Sequence, residues 1–253
     1  MRTRVILLGA SNLTRSFPGV VAIARTLAGE PIDVAAAVGH GRSFGLRSRV
    51  LARSLPGIVD CGLWGALQAA PKAARTLALV TDVGNDIVYG AAVETICRWV
   101  DTCVSRLVAL GAGTVLTQLP LESIGSTGPV RFGLAKTLLF PRHAITRRQV
   151  LDRAAAVARG LEETAGRHGA ALQALPRSWY GLDPIHIRRA RSREAWTAIL
   201  APWRPDAPSA QPAPIDRRAV RRARPEHWWL FGRPRSTPQP AARLADGTTI
   251  SLY

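Results

Sequence analysis

Short apolar runs recur along the first two-thirds of the chain, each closed by a glycine or polar cluster and each followed by a helical pattern. Arg4-Val5-Ile6-Leu7-Leu8 ends at Gly9. Ile32–Val38 ends at Gly39-His40-Gly41. Thr76–Thr81 runs into Asp82-Val83-Gly84-Asn85-Asp86, Thr114–Gln118 is broken by Pro120, and Ala170–Leu175 leads to Trp179–His186. Apolar runs of this length that do not alternate with polar residues suit strands buried on both faces. Helical patterns between them at about 18–29, 91–110, 146–169 and 189–200 supply the crossovers that parallel strands need. Thr146 with Gln149 reads as a capping box for the third of these helices. The pattern predicts an α/β chain with helices on both faces of a five-stranded, mainly parallel sheet.

Composition divides the chain near residue 200. Residues 1–200 are expected to form one domain. Residues 201–253 are rich in Pro, Arg and Trp, with Arg217-Arg218, Arg221-Arg222 and Trp228-Trp229, and are expected to be an irregular extension packing on the domain or on a partner. Its last stretch, Arg243–Tyr253, nevertheless holds an Asp-Gly turn before an alternating, strand-like run. The segment 122–143 is long for a connection and is expected to act as a lid or pocket loop.

The formal charge is +17, from 34 basic and 17 acidic residues, with Lys72 and Lys136 the only lysines. Coding bias toward Arg does not explain an excess over acids, so the charge is a physical property looking for a use. Nucleic-acid binding is set aside as the minor reading of it. No window reaches the roughly 18 uncharged apolar residues of a membrane span. The N-terminal Val5–Leu8 run is too short for a secretory apolar region, and a cytoplasmic location is expected. Cys61, Cys97 and Cys103 have neither disulfide-framework nor zinc-ligand spacing and are expected to be free thiols. Residues that would enforce a monomer or an oligomer are not evident, and a homo-oligomer stays open.

In an open parallel sheet, ligands gather at the carboxyl ends of the strands. Four clusters fall there: Gly9-Ala10-Ser11-Asn12, Gly39-His40-Gly41-Arg42-Ser43, Asp82–Asp86 and Asp183-Pro184-Ile185-His186. Ester hydrolysis needs an activated hydroxyl, a base, a group that orients the base, and donors for the oxyanion. Ser11 after a strand can present its hydroxyl, His186 can act as base, and Asp183 one turn earlier can hold the imidazole. The backbone N–H groups of Ser11 and Gly41 and the amide of Asn85 can converge on an oxyanion, with Gly39 competing for the role of Gly41. His40 reads as a neighbour of this loop, and Trp179 and Tyr180 read either as pocket walls or as core.

These blocks resemble the SGNH/GDSL hydrolases, whose Ser, Gly, Asn and Asp-x-x-His blocks occur in this order, and the resemblance spans about residues 4–187. It implies a three-layer α/β/α sandwich with a flavodoxin-like sheet and esterase, lipase, thioesterase or carbohydrate-deacetylase activity on a small-molecule or carbohydrate ester. Ser11 corresponds to the nucleophile, Gly41 and Asn85 to oxyanion donors, Asp183 and His186 to the last block, and no cofactor is implied. Two departures stand out. The first block has Ala10 where the family usually has Asp, and in the third block Gly84 directly precedes Asn85. The same residues allow two alternatives: an acyltransferase using the same acyl-enzyme, and a catalytically weak binding protein that uses its Arg-rich tail on nucleic acid or an acidic partner.

Overall fold

A computed structural model describes residues 2–29, 31–126, 146–204 and 214–253. In chain order its principal elements are β1 (Thr3–Gly9), α1 (Ser11–Ala28), β2 (Ile32–Val38), β3 (Ser48–Val50), β4 (Arg53–Leu55), α2 (Leu63–Ala69) and β5 (Arg75–Val80). Then come α3 (Asn85–Val88), α4 (Val93–Ala109), β6 (Ala112–Thr117), α5 (Leu121–Gly125), α6 (Arg147–His168), β7 (Ala171–Gln173) and α7 (Ser192–Leu200). The C-terminal part supplies α8 (Arg217–Arg222), β8 (His227–Leu230), β9 (Arg233–Ser236), β10 (Ala242–Arg243) and β11 (Thr249–Leu252).

The expected strands line up as β2-β1-β5-β6-β7, all parallel to their neighbours. In order of appearance that is 2-1-3-4-5, the flavodoxin-like order, whose reversal point lies beside β1. Side-chain alternation sorts the core into two layers. Val5 and Leu7 of β1 join Val34, Leu77 and Leu79 against α1 and α7, where Phe17, Val21, Trp196 and Ile199 are buried. Ile6 and Leu8 join Ala37, Ala78 and Val80 against α2, α4 and α6, where Trp64, Val100, Leu107 and Leu161 are buried. Val5 through Leu8 have no solvent exposure at all, which explains why the first run is unbroken by polar residues. Each such side chain contributes about 1.5–3 kcal/mol of burial.

Helix α1 starts at Ser11, seven residues before the proline that seemed to open it, and Pro18 sits within it. Helix α6 has the capping box at Thr146 and Gln149 and stops at Gly169 in the left-handed conformation (φ 64°). Trp179 and Tyr180 are both buried in the α1/α7 layer, so their place is in the core.

The stretch read as an irregular extension carries ordered structure in its described part. Strand β11 lies parallel to β2 and antiparallel to β10, so the main sheet has seven strands. The Asp246-Gly247 turn closes that hairpin, with Gly247 at φ 89° and its N–H donating to Leu244. Arg25, almost fully buried, binds Asp246 through two nitrogens and so ties this hairpin to α1. Strand β8 pairs with β4 on one side and β9 on the other in a second, antiparallel sheet, β3-β4-β8-β9. Here Trp228 and Trp229 find cationic partners: the Arg47 guanidinium lies 3.7 Å from the Trp229 ring and that of Arg53 5.9 Å from Trp228. Composition concealed this arrangement because each strand is short and because β8 and β11 take β4 and β2 from a distant part of the chain.

Among the described residues, no helix is long and apolar enough to cross a membrane. The expected lid, 122–143, lies outside the described residues beyond Ser126. Cys61, Cys97 and Cys103 are free, with Cys61 and Cys103 buried.

Candidate active site

The carboxyl ends of β2, β1 and β5, three adjacent strands, carry the first three polar clusters, and the turn around Asp183 closes over β1. Ser11 is the first residue of α1. Its Oγ lies 2.9 Å from Nε2 of His186, and Nδ1 of His186 lies 2.6 Å from Oδ2 of Asp183. The other oxygen of Asp183 accepts the backbone N–H groups of Ile185 and His186, at 3.1 and 3.2 Å. Burial pushes the Asp183 carboxyl up, but the bonds from the His186 ring and the two amides outweigh it and hold the group below its ordinary value. Asp183 is thus ionised and fixed by its own turn, and it leaves the second imidazole nitrogen facing Ser11.

Two residues whose roles were not legible in the sequence organise this triplet. Asn12 donates to the Ile185 carbonyl at 2.8 Å and accepts from the Ile187 N–H at 2.8 Å, which clips the His186 turn to the start of α1. Its amide also donates to Asp82 Oδ1 at 2.9 Å. Asp82, just past β5, takes the backbone N–H groups of Ala10 and Leu13 on Oδ2, at 3.0 and 3.1 Å. Ala10 offers no side-chain cap to α1, and Asp82 supplies one from the neighbouring strand. This carboxylate at a helix N-terminus satisfies amides that would otherwise have no partner. To reach them, Asp82 adopts a left-handed backbone (φ 62°), uncommon outside glycine. Polar residues at both strand ends were visible in the sequence, but only the β1–β5 pairing puts Asp82 beside Ala10.

Gly41 has φ 61°, and a Cβ there would meet Val50 Cγ2 at 2.6 Å and the Tyr89 hydroxyl at 2.9 Å. That hydroxyl donates to the Gly41 carbonyl at 2.5 Å. The N–H groups of Gly41 and Ser11 have no hydrogen-bond partner among the described residues. Gly39 is packed against Leu55, and its carbonyl accepts the Arg42 N–H. Asn85 opens α3 and donates from Nδ2 to the Arg42 carbonyl at 3.2 Å, leaving its second amide hydrogen unused by that bond. Asp86 is wholly buried beneath the loop, accepting the Ser43 hydroxyl in a short bond and the Phe44 N–H at 2.9 Å. Burial raises its carboxyl to about 6 despite those two donors. His40 keeps one side open to solvent; partial desolvation of its ring against the loop, followed by the charges of Arg15, Arg53 and His186, keeps it below its ordinary value, against an opposing pull from Asp82.

No protein-family model and no curated protein matches the sequence. Among solved structures the fold is similar to the native aryl esterase of M. smegmatis, with TM-score 0.53 and 14% identity over 78% of this chain and 96% of that one. It is similar also to a carbohydrate acetylesterase from Sinorhizobium meliloti, with TM-score 0.52 and 14% identity over 78% and 96% of the two chains. The chain therefore has the mainly parallel α/β/α fold that the sequence resemblance implied.

Proposed function

We propose that this protein is a serine hydrolase that cleaves carboxylic esters through an acyl-enzyme on Ser11. The observation that carries the reading is the unbroken relay from Ser11 Oγ to His186 to Asp183, at 2.9 and 2.6 Å. These are hydrogen-bonding distances at which a base can take a hydroxyl proton. In this reading His186 accepts the Ser11 proton as Oγ attacks the ester carbonyl, and it returns the proton to the departing alcohol. Asp183 orients the ring and stabilises its charged form. Water then repeats the sequence on the acyl-enzyme and releases the acid.

The developing oxyanion takes the free N–H of Ser11, the N–H of Gly41 and the Asn85 amide. The Ser11 N–H stands at the N-terminus of an 18-residue helix, whose dipole favours negative charge there. The positive φ of Gly41, which Gly39 lacks, supports Gly41 over Gly39. Removing one such donor costs about 2.7–4 kcal/mol of transition-state stabilisation. Two enzymes of the same fold, an aryl esterase and a carbohydrate acetylesterase, act on esters, and a small-molecule or carbohydrate ester is the substrate class proposed.

The test is incubation with a fluorophosphonate followed by peptide mapping, together with turnover of p-nitrophenyl acetate. A label on Ser11, and loss of both label and turnover in Ser11→Ala, is the expected result. Turnover that survives Ser11→Ala would overturn the proposal.

A further inference from the structure

A cavity of about 330 Å³ opens beside the candidate oxyanion loop, lined by His40, Val50, Leu51, Arg53, Leu55 and Leu230 among others. Apart from His40, its walls come from β3, β4, the turn between them and β8. Its contact with the site is direct. Val50 sits against Gly41 and Leu55 against Gly39, each so near that a Cβ on the glycine would fall within 2.6 and 2.3 Å of the side chain. His40, between those two glycines, lines the cavity and also feels the charge of His186.

The apolar lining is interrupted by Arg53, a cation with no counter-ion among the described residues. Arg53 is partly buried, and its Nε is shut off from solvent without a hydrogen-bond partner. It takes part in none of the ion pairs among the described residues, and the one charge that perturbs it is another cation, Arg224. The Trp228 ring at 5.9 Å is a weak substitute. A half-buried guanidinium with one nitrogen shut off from water and no anion beside it gains when a ligand brings the anion. The volume is at the small end for ligand pockets, which suits an arm of a few carbons and not a polymer.

We propose that this cavity binds one arm of the ester substrate, a short apolar chain ending in a carboxylate, with Arg53 receiving the carboxylate and Val50, Leu55 and Leu230 packing on the chain. The inference rests on the serine-hydrolase reading and gives that site its substrate class, a carboxylate-bearing ester. It also gives part of the +17 charge a local purpose.

Two matched pairs of esters test it on the full chain. p-Nitrophenyl hemiglutarate against p-nitrophenyl valerate places the carboxylate on the acyl side. 4-Acetoxybenzoate against its methyl ester places it on the alcohol side. Each rate is divided by the alkaline hydrolysis rate of the same ester. We expect the charged member of at least one pair to be preferred tenfold or more in kcat/KM. That ratio should collapse toward one in Arg53→Met, persist in part in Arg53→Lys, and hold in Arg98→Met, which removes an exposed cation on α4.

A ratio within one preparation does not depend on the fraction folded. If Arg53→Met does not fold, the wild-type ratios and Arg53→Lys still decide. Ratios near one in both pairs, with Ser11-dependent turnover of the neutral esters, would refute the inference and leave the hydrolase reading standing. A preference that survives Arg53→Met, or that Arg98→Met also abolishes, would refute it as well. Absence of all turnover and of Ser11 labelling would remove the hydrolase reading and this inference with it.

Discussion

Replacing Asp82 tests whether its carboxylate, and not the residue at position 10, holds the nucleophile in place. Asp82→Ala removes three hydrogen bonds at once, from the Ala10 N–H, the Leu13 N–H and the Asn12 amide. A bond to a charged group is worth about 1.5–3 kcal/mol, but the site is partly open to water, which recovers some of each. The cap lost from α1 costs about 1–2 kcal/mol, and freeing Asn12 adds about 1 kcal/mol. The expected destabilisation is about 3 kcal/mol, which in a domain of this size lowers Tm by about 6–12 °C. Activity should fall further than stability, since Asn12 also ties down Ile185 and Ile187 on either side of His186. A displacement of about 1 Å between Ser11 and His186 is enough for a loss of about 100-fold in kcat.

Asp82→Asn should be intermediate: its carbonyl still accepts the two backbone amides, while its NH₂ faces the donor of Asn12. Thermal melts together with the rate of fluorophosphonate labelling read both effects. An Asp82→Ala protein that labels at the wild-type rate and melts within about 1 °C of wild type would show that the first block holds itself and that the cap across the sheet is incidental.

Two further outcomes are expected. Gly41→Ala forces a β-carbon into the left-handed region, at about 1–2 kcal/mol, and against Val50 and Tyr89. Turnover of p-nitrophenyl acetate should drop about tenfold or more with Ser11 labelling slowed in parallel, and unchanged rates would argue against this loop as an oxyanion donor. Asp86, raised by burial from 3.8 to about 6, stabilises the fold fully only below its unfolded value. That contribution, at most about 3 kcal/mol, is lost as pH rises through about 6. The difference in Tm between Asp86→Asn and wild type should therefore move in favour of the variant from pH 4 to pH 6.5, and a flat difference over that range would contradict the assignment.

The central sheet was legible because its signal is local. A strand buried on both faces cannot carry polar residues, so Val5–Leu8, Ile32–Val38 and Leu77–Val80 announce themselves. The same holds for Ser11, Gly41, Asn85 and the Asp183–His186 turn, each of which ends a strand or sits in a turn beside one. What the sequence concealed depends on partners far away. Asp82 reads as one more acid in a polar loop until β5 is paired with β1. The strand-like run of β11 is visible after its Asp-Gly turn, but its place beside the main sheet is not until β2 receives it. Strands β3 and β4 are three residues each, below the length at which alternation can be read, and they acquire a sheet only when β8 arrives. Arg53 is unremarkable among the arginines until the fold leaves it beside the cavity with no ion-pair partner among the described residues.

Arg42, the residue after Gly41, is completely buried and bonds the Pro56 carbonyl at 3.2 Å and, in a short contact, the carbonyl of Tyr253. The loop beside the nucleophile is thus moored to a residue that the ribosome adds more than two hundred positions later. During synthesis β1, β2 and β5 can pair long before that point, but β2 lacks its outer neighbour and Arg42 lacks this acceptor until β11 emerges. The loop that carries Gly41 therefore gains this anchor only after β1, β2, β5, β6 and β7 have been made. Enlarging or clipping the segment around Leu252 would be felt both in the core, to which Leu252 belongs, and, through Arg42, beside Gly41.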